Sequence, residues 1–128
     1  MNTMNITIVG ATGAVGLELI KLLGYRDLPV TNLTLLASKR SAGKALDTSL
    51  GQIKIKAFDV AHFKDQDIVF FATSGDHAKQ FAPQAVEAGA VVIDNSSAFR
   101  LDDNVPLIVP EVNPEAINAH KGIIANPN

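Results

Sequence analysis

Short apolar runs alternate with amphipathic stretches along most of the chain. Asn5 to Val9 is apolar and β-branched, the signature of a buried strand. Ala14 to Leu23 carries apolar residues at Val15, Leu19, Ile20 and Leu23, a helical spacing, and Gly24 is expected to end that helix. Leu33 to Ala37 reads as the second strand, and Ser38 to Lys44 as a polar loop. Gln52 to Phe58 alternates through Ile53, Ile55 and Ala57, as an antiparallel or edge strand would. Asp67 to Thr73 is apolar enough to be buried on both faces. Asp76 to Ala88 is helical, with Gly89 after it, and Pro83 inside it predicts a kink or a split. Ala90 to Asp94 is a further strand and Pro106 to Val109 a short one. Pro114 to Ala119 reads as a helix capped by Asn113, and Gly122 to Ala125 as the last strand. Strands separated by helices imply a parallel sheet with crossover connections.

The first strand runs into Gly10-Ala-Thr-Gly13-Ala-Val-Gly16 and then into the first helix. Glycine lets a backbone turn tightly and approach a phosphate. The helix start that follows presents unpaired N–H groups and a partial positive charge. The spacing is G-x-x-G-x-x-G rather than G-x-G-x-x-G, but its place between a strand and a helix makes it a dinucleotide cradle. Gly10, Thr12, Gly13, Ala14, Val15 and Gly16 are therefore candidate cofactor contacts. The expected fold is α/β: a Rossmann-like, doubly wound, mostly parallel sheet with helices on both faces.

The totals narrow the class. A chain of 128 residues, 47% hydrophobic, is one domain with a real core. A net charge of −2 argues against general binding to nucleic acid or a membrane surface. No apolar run approaches a membrane span, and the N-terminus lacks a signal-like pattern, so a cytoplasmic location is the expectation. The absence of cysteine removes disulfides, thiolate metal sites and a cysteine nucleophile from these residues. His62, His77 and His120 share no ligand spacing and read as surface or capping residues, so no metal is expected.

Three further loops carry candidate chemistry. Ala37-Ser38-Lys39-Arg40-Ser41-Ala42-Gly43-Lys44 has three cations and two hydroxyls where many NAD-binding folds place a carboxylate against the ribose. That composition suits a 2′-phosphate held by Ser38, Arg40 and Ser41, and favours NADP over NAD. Ser74 and Gly75 follow a strand, at the sheet edge where a doubly wound fold opens its ligand crevice. Ser74 or Asp76 also suits a helix cap there. Asp94-Asn95-Ser96-Ser97-Ala98-Phe99-Arg100 leaves the same edge and ends in an arginine, a residue suited to bidentate phosphate or carboxylate and equally to a surface salt bridge. Glu111 suits either the site or a helix cap.

Taken together, these segments resemble the N-terminal part of aspartate-semialdehyde dehydrogenase. The matching pieces are Gly10 to Gly16, Ala37 to Lys44, Asp94 to Arg100, Val109-Pro-Glu-Val-Asn113 and Gly122-Ile-Ile-Ala-Asn-Pro-Asn128, in order over nearly the whole chain. The resemblance implies that aspartyl β-phosphate is reduced by NADPH to aspartate semialdehyde and phosphate, through a cysteine thioester with a histidine acid/base. It implies that Thr12 to Val15 contact the cofactor, that Arg40 and Ser41 bind its 2′-phosphate end, and that Arg100 binds the substrate phosphate. Ser74, Gly75, Asn95 and Ser97 are implied near the cofactor and active site. The family is homo-oligomeric and serves lysine, threonine and methionine synthesis.

In that family Asn-Pro-Asn is followed directly by the nucleophilic cysteine, and this sequence stops at Asn128. Residues 1–128 are thus expected to be one NADP-binding domain, with the catalytic and dimerisation domain outside it and no turnover by these residues alone. N-acetyl-γ-glutamyl-phosphate reductase shares the fold and the thioester chemistry, but Asn95 to Arg100 and Ala125 to Asn128 favour the semialdehyde enzyme. A non-catalytic NADP-binding sensor related to short-chain dehydrogenases also carries a Gly-Ala-Thr-Gly loop. A catalytic member of that class needs a Tyr-x-x-x-Lys pair, and the one tyrosine, Tyr25, has Pro29 four residues on.

Overall fold

A computed structural model describes residues 4–25, 30–100, 105 and 122–125. In order they form β1 (Asn5–Val9), α1 (Ala14–Tyr25), β2 (Asn32–Ala37), β3 (Ala45–Thr48), β4 (Gly51–Ala57), a 3-10 turn (Val60–Phe63), β5 (Ile68–Phe71), α2 (Gly75–Glu87), β6 (Val91–Asp94) and β7 (Ile123–Ala125). The seven strands make one sheet in the order β3-β4-β2-β1-β5-β6-β7. Every neighbouring pair is parallel except β3 with β4. The strand order reverses at β1, which pairs with β2 on one side and β5 on the other. In doubly wound sheets the crevice at the strand C-termini of such a reversal is where ligands bind.

The alternation of side chains along each strand divides the core between the two faces. Ile6 and Ile8 of β1, Leu33 and Leu35 of β2, and Ile55 of β4 pack with Ile20 and Leu23 of α1. Val9, Leu36, Val69, Phe71 and Val92 pack with Ala78, Ala82 and Ala85 of α2. Those three alanines recur at helical spacing and let α2 approach the sheet closely. Helices therefore cover both faces, as the sequence predicts. Thr7 is the one polar side chain within β1 that is fully buried, and its hydroxyl donates to Gln66 Oε1 at 2.7 Å.

Several expectations are corrected. Gly24 does not end α1, which runs through it to Tyr25. Pro83 does not split α2, which is a single element from Gly75 to Glu87. Pro83 and Lys79 are both exposed, so the missing N–H to the Lys79 carbonyl falls on the solvent side of the helix and not in the core. The strand predicted over Asp67 to Thr73 is not buried equally on both faces. Val69 and Phe71 are buried beneath α2, whereas Ile68 and Phe70 are half-buried because α1 lies over β1, β2 and β4. The strand predicted over Gln52 to Phe58 as antiparallel or edge, β4, does pair antiparallel, with the unpredicted β3, but it is not an edge strand, because it also pairs parallel with β2. The predicted Pro106–Val109 strand and Pro114–Ala119 helix lie outside the described residues, as do Glu111 and His120.

Candidate functional site

The glycine turn is built by contact, not by flexibility alone. Gly10 has φ +86°, and a Cβ placed there would strike the Ala72 carbonyl oxygen and lie 2.9 Å from Thr73 Cγ2. A Cβ on Gly16 would strike the Gly10 carbonyl oxygen and lie 2.8 Å from Ala11 Cα. The Gly10 and Ala11 N–H groups both donate to the Leu36 carbonyl, at 2.9 and 3.1 Å. The β1–α1 connection is thereby drawn down between the ends of β2 and β5. Gly13 is different: it is exposed, and its Cβ would meet nothing closer than the Gly10 carbonyl oxygen at 3.6 Å. Thr12, Ala14 and Val15 are also exposed. Helix geometry leaves the first-turn amides of α1 without an intrahelical acceptor. A solvent-facing helix start with no acidic residue in its first turn suits an anion.

Beside this turn lies a cleft of about 330 Å³ lined by residues from four connections. Val9, Gly10 and Thr12 form one side, Ala37 and Ser38 the end of β2, and Thr73, Ser74 and His77 the β5–α2 junction, with Phe58 closing it. Ser38 therefore lines the cleft. Arg40, exposed, and Ser41 lie in the same turn, which is closed by the Ser41 N–H donating to the Ser38 carbonyl at 3.0 Å. Another cleft, of about 390 Å³, is lined by Ile20, Lys21, Gly24, Asp47, Thr48 and Ser49. It sits by the β3–β4 turn and the end of α1, at the N-terminal edge of the parallel strands. It is larger but has no glycine turn and no helix start.

Ser74 caps α2 by accepting from the His77 N–H at 3.3 Å, so the capping reading holds for this residue. Gly75 abuts the loop after β6: a Cβ there would lie 3.6 Å from Ser97 Oγ and 3.7 Å from the Ala98 nitrogen. That loop is organised by Asp94, whose side chain is fully buried. Its carboxylate accepts from the Ser96 N–H at 2.9 Å and the Ser96 hydroxyl at 2.7 Å. Ser96 Oγ in turn accepts from the Ala98 N–H at 3.2 Å. Asn95 is tied to the sheet by its N–H donating to the Phe71 carbonyl at 3.0 Å, and its own carbonyl accepts from the Arg100 guanidinium at 3.1 Å. Contacts thus run from Gly10 through Ala72–Gly75 to Ser97 and Asn95–Arg100, along one edge of the sheet. Asn95, Ser97 and Arg100 are not among the residues lining the cleft.

His77, expected as a surface or capping residue, has its N–H in the α2 cap, but its ring is half-buried and not on the open surface. Its ring is packed against Phe58 and Phe81, with centroids 4.6 and 4.7 Å away, and faces Phe71 at 6.4 Å. Burial pushes its imidazole below the usual histidine range. Thr73, His77 and Phe58 all line the cleft, and sequence reasoning assigned none of them to the site. Only one signal was available: Thr73 directly precedes the Ser74-Gly75 pair at the end of a strand, and His77 follows it by two residues. Among the described residues no group of three or more His, Cys, Asp or Glu side chains is arranged to hold a metal ion. Among them, too, no helix is long and apolar enough to cross a membrane.

The comparisons with known proteins fit this geometry. Residues 5–120 match the family model described as semialdehyde dehydrogenase, NAD binding domain. The chain is 51% identical over 125 residues to aspartate-semialdehyde dehydrogenase of Synechocystis, a match that covers 98% of this chain and 37% of that protein. The crystal structure of aspartate semialdehyde dehydrogenase II complexed with ASA from Vibrio cholerae aligns with a TM-score of 0.90 at 45% identity, covering 99% of this chain and 42% of that one. Aspartate semialdehyde dehydrogenase with NADP from Candida albicans aligns with a TM-score of 0.76 at 28% identity, over 98% of this chain and 42% of that one. The chain therefore spans well under half the length of these relatives. A parallel sheet reversing at β1, a steric glycine turn at that reversal and a family match over residues 5–120 lead to one conclusion: the chain belongs to the semialdehyde dehydrogenase NAD-binding domain family.

Proposed function

We propose that this chain holds NADP(H) for the interconversion of aspartyl β-phosphate and aspartate semialdehyde, the reaction of an aspartate-semialdehyde dehydrogenase. The observation that carries the reading is the glycine turn at the β1 reversal, where Gly10 and Gly16 leave no room for a Cβ and Thr12 to Val15 face solvent. A dinucleotide fits these residues on two further grounds. The adjoining cleft opens onto the end of β2, and its wall contains Thr73 Oγ1, a buried hydroxyl with no partner among the described residues. The relatives whose structures carry ASA in one case and NADP in another support the same cofactor and substrate.

In this reading Thr12, Ala14 and Val15 hold the pyrophosphate with backbone N–H groups, Gly13, whose own N–H donates to the Gly10 carbonyl at 3.2 Å, lets the phosphate come close, and Ser38, Arg40 and Ser41 hold the 2′-phosphate. Ser74, Gly75, Asn95 and Ser97 lie near the cofactor and the active site, and Arg100 binds the substrate phosphate. The cofactor supplies a hydride when bound. The chain's contribution is to fix the donor's position and to keep an arginine beside the phosphate that leaves. No cysteine occurs in these 128 residues, so the thiol chemistry that the resemblance implies is outside them. The 128-residue chain is expected to bind the cofactor without turnover, as one NADP-binding domain.

The test is a calorimetric or fluorescence titration of the chain with NADPH and NADH, repeated on Arg40→Ala. A charge-assisted hydrogen bond contributes roughly 1.5–3 kcal/mol, so NADPH is expected to bind about ten- to hundred-fold tighter than NADH. Arg40→Ala is expected to remove most of that preference while leaving NADH unchanged. Equal affinities for the two cofactors in the unmodified chain overturn the 2′-phosphate assignment.

A further inference from the structure

The cleft wall at the β5–α2 junction contains two solvent-inaccessible polar atoms without a partner among the described residues, Thr73 Oγ1 and His77 Nδ1. A neutral imidazole carries its proton on one nitrogen only, and the environment of each nitrogen decides which. Partial burial pushes the His77 imidazole below the usual histidine range, which favours its neutral form. A proton on Nδ1 would strand a donor against the aromatic cluster of Phe58, Phe71 and Phe81. A proton on Nε2 leaves only an unused lone pair at Nδ1. Buried N–H groups without an acceptor are rarer than under-used acceptors, so the second arrangement is preferred. Val9, Ala37 and Phe58 give the cleft apolar surface, and Thr12, Ser74 and Ser38, the last at the start of the Arg40 turn, add hydroxyls at its wall. A flat heteroaromatic base with ring-nitrogen acceptors suits that space.

We infer that His77 is held as the Nε2–H tautomer and donates that hydrogen bond to the adenine-bearing half of the cofactor, making it a specificity residue of the cleft beside Gly10. The inference rests on the NADP reading above, because the cleft adjoins the turn there assigned to the 2′-phosphate. It adds a residue and a proton position that the glycine and arginine motifs do not contain. The donor selects against ligands that present no acceptor on their base edge.

The experiment uses the 128-residue chain labelled with nitrogen-15 at histidine, and adenosine 2′,5′-bisphosphate as the probe. The free chain is expected to show a protonated Nε2 and an unprotonated Nδ1 for His77, and the Nε2–H signal is expected to move on saturation with the probe. His77→Phe keeps a ring among the phenylalanines and removes the donor. It is expected to weaken probe binding about 2- to 10-fold, the range of one net hydrogen bond. His77→Gln, which restores an N–H donor, is expected to recover part of the loss. A proton on Nδ1 in the free chain overturns the inference, and that reading needs no variant to fold. So does an unchanged dissociation constant in a His77→Phe chain whose circular dichroism matches the parent. If the probe binds and depends on Arg40 while His77 is indifferent, this inference falls and the NADP reading stands. If the probe does not bind the parent chain at all, both fall.

Discussion

Replacing Gly10 by alanine tests whether the turn is held by contact. Two costs add at this position. A left-handed φ of +86° penalises a Cβ, by about 1–2 kcal/mol. The new methyl also overlaps the Ala72 carbonyl and Thr73 Cγ2, and overpacking of this kind costs about 1–3 kcal/mol. The sum, about 2–5 kcal/mol, is a large share of the roughly 5–15 kcal/mol that holds a small domain folded. With a urea dependence of about 2 kcal/mol per molar, the unfolding midpoint should fall by about 1–2.5 M. Gly13→Ala is the matched control. Its Cβ meets only the Gly10 carbonyl oxygen at 3.6 Å, and losing glycine at a helix entry costs no more than about 1 kcal/mol. Gly13 faces solvent where the pyrophosphate is proposed to lie, so its variant should unfold near the parent midpoint yet bind NADPH more weakly. Urea unfolding followed by circular dichroism, with an NADPH titration of each folded variant, separates the two. A Gly10→Ala midpoint equal to the parent's, or a Gly13→Ala midpoint as low as that of Gly10→Ala, refutes the steric argument.

Two other predictions concern buried polar groups. Asp94→Asn should cost about 1–3 kcal/mol, because the amide replaces one of two acceptor oxygens facing Ser96, whose hydroxyl already accepts from Ala98; a urea midpoint unchanged from the parent contradicts this. Stability should fall as pH is lowered through the ordinary histidine value of 6.5, since the unfolded chain takes up a proton at His77 that the folded chain, with its lowered value, resists. His77→Phe should remove that part of the slope, and an unaltered slope in urea unfolding across this pH range contradicts the assignment.

The sequence made the glycine turn legible because its cause is local. A β-branched strand, three glycines and an amphipathic helix follow one another within twenty residues. Other features depend on residues far apart in the chain. The cluster around His77 joins Phe58, Phe63, Phe71 and Phe81, which come from β5, α2 and the segment after β4. No periodicity links these positions. Strand β3 was hidden because Ala45-Leu-Asp-Thr48 has little β-branched or aromatic character and only Leu46 packs against the core. Its partner β4 fixes it, and the turn between them is held by Thr48, whose hydroxyl donates to the Gly51 carbonyl at 2.8 Å. Gly24 read as a helix end because glycine often is one. Here it lies within the last turn of α1, beside Ser49, whose Cβ would be 3.3 Å from an added methyl. Asp94 was visible as an acid ending an apolar strand, but only the fold reveals it as the buried acceptor that shapes the next loop.

The central claim, that a dinucleotide binds at the β1 reversal, is tested most directly by amide chemical-shift mapping of the nitrogen-15-labelled chain as NADP is added. The largest shifts are expected at residues 10–16, 38–41 and 73–77, with smaller ones at 95–100. Shifts concentrated instead at Lys21, Gly24 and Asp47 to Ser49, around the larger cleft at the opposite edge of the sheet, would contradict it.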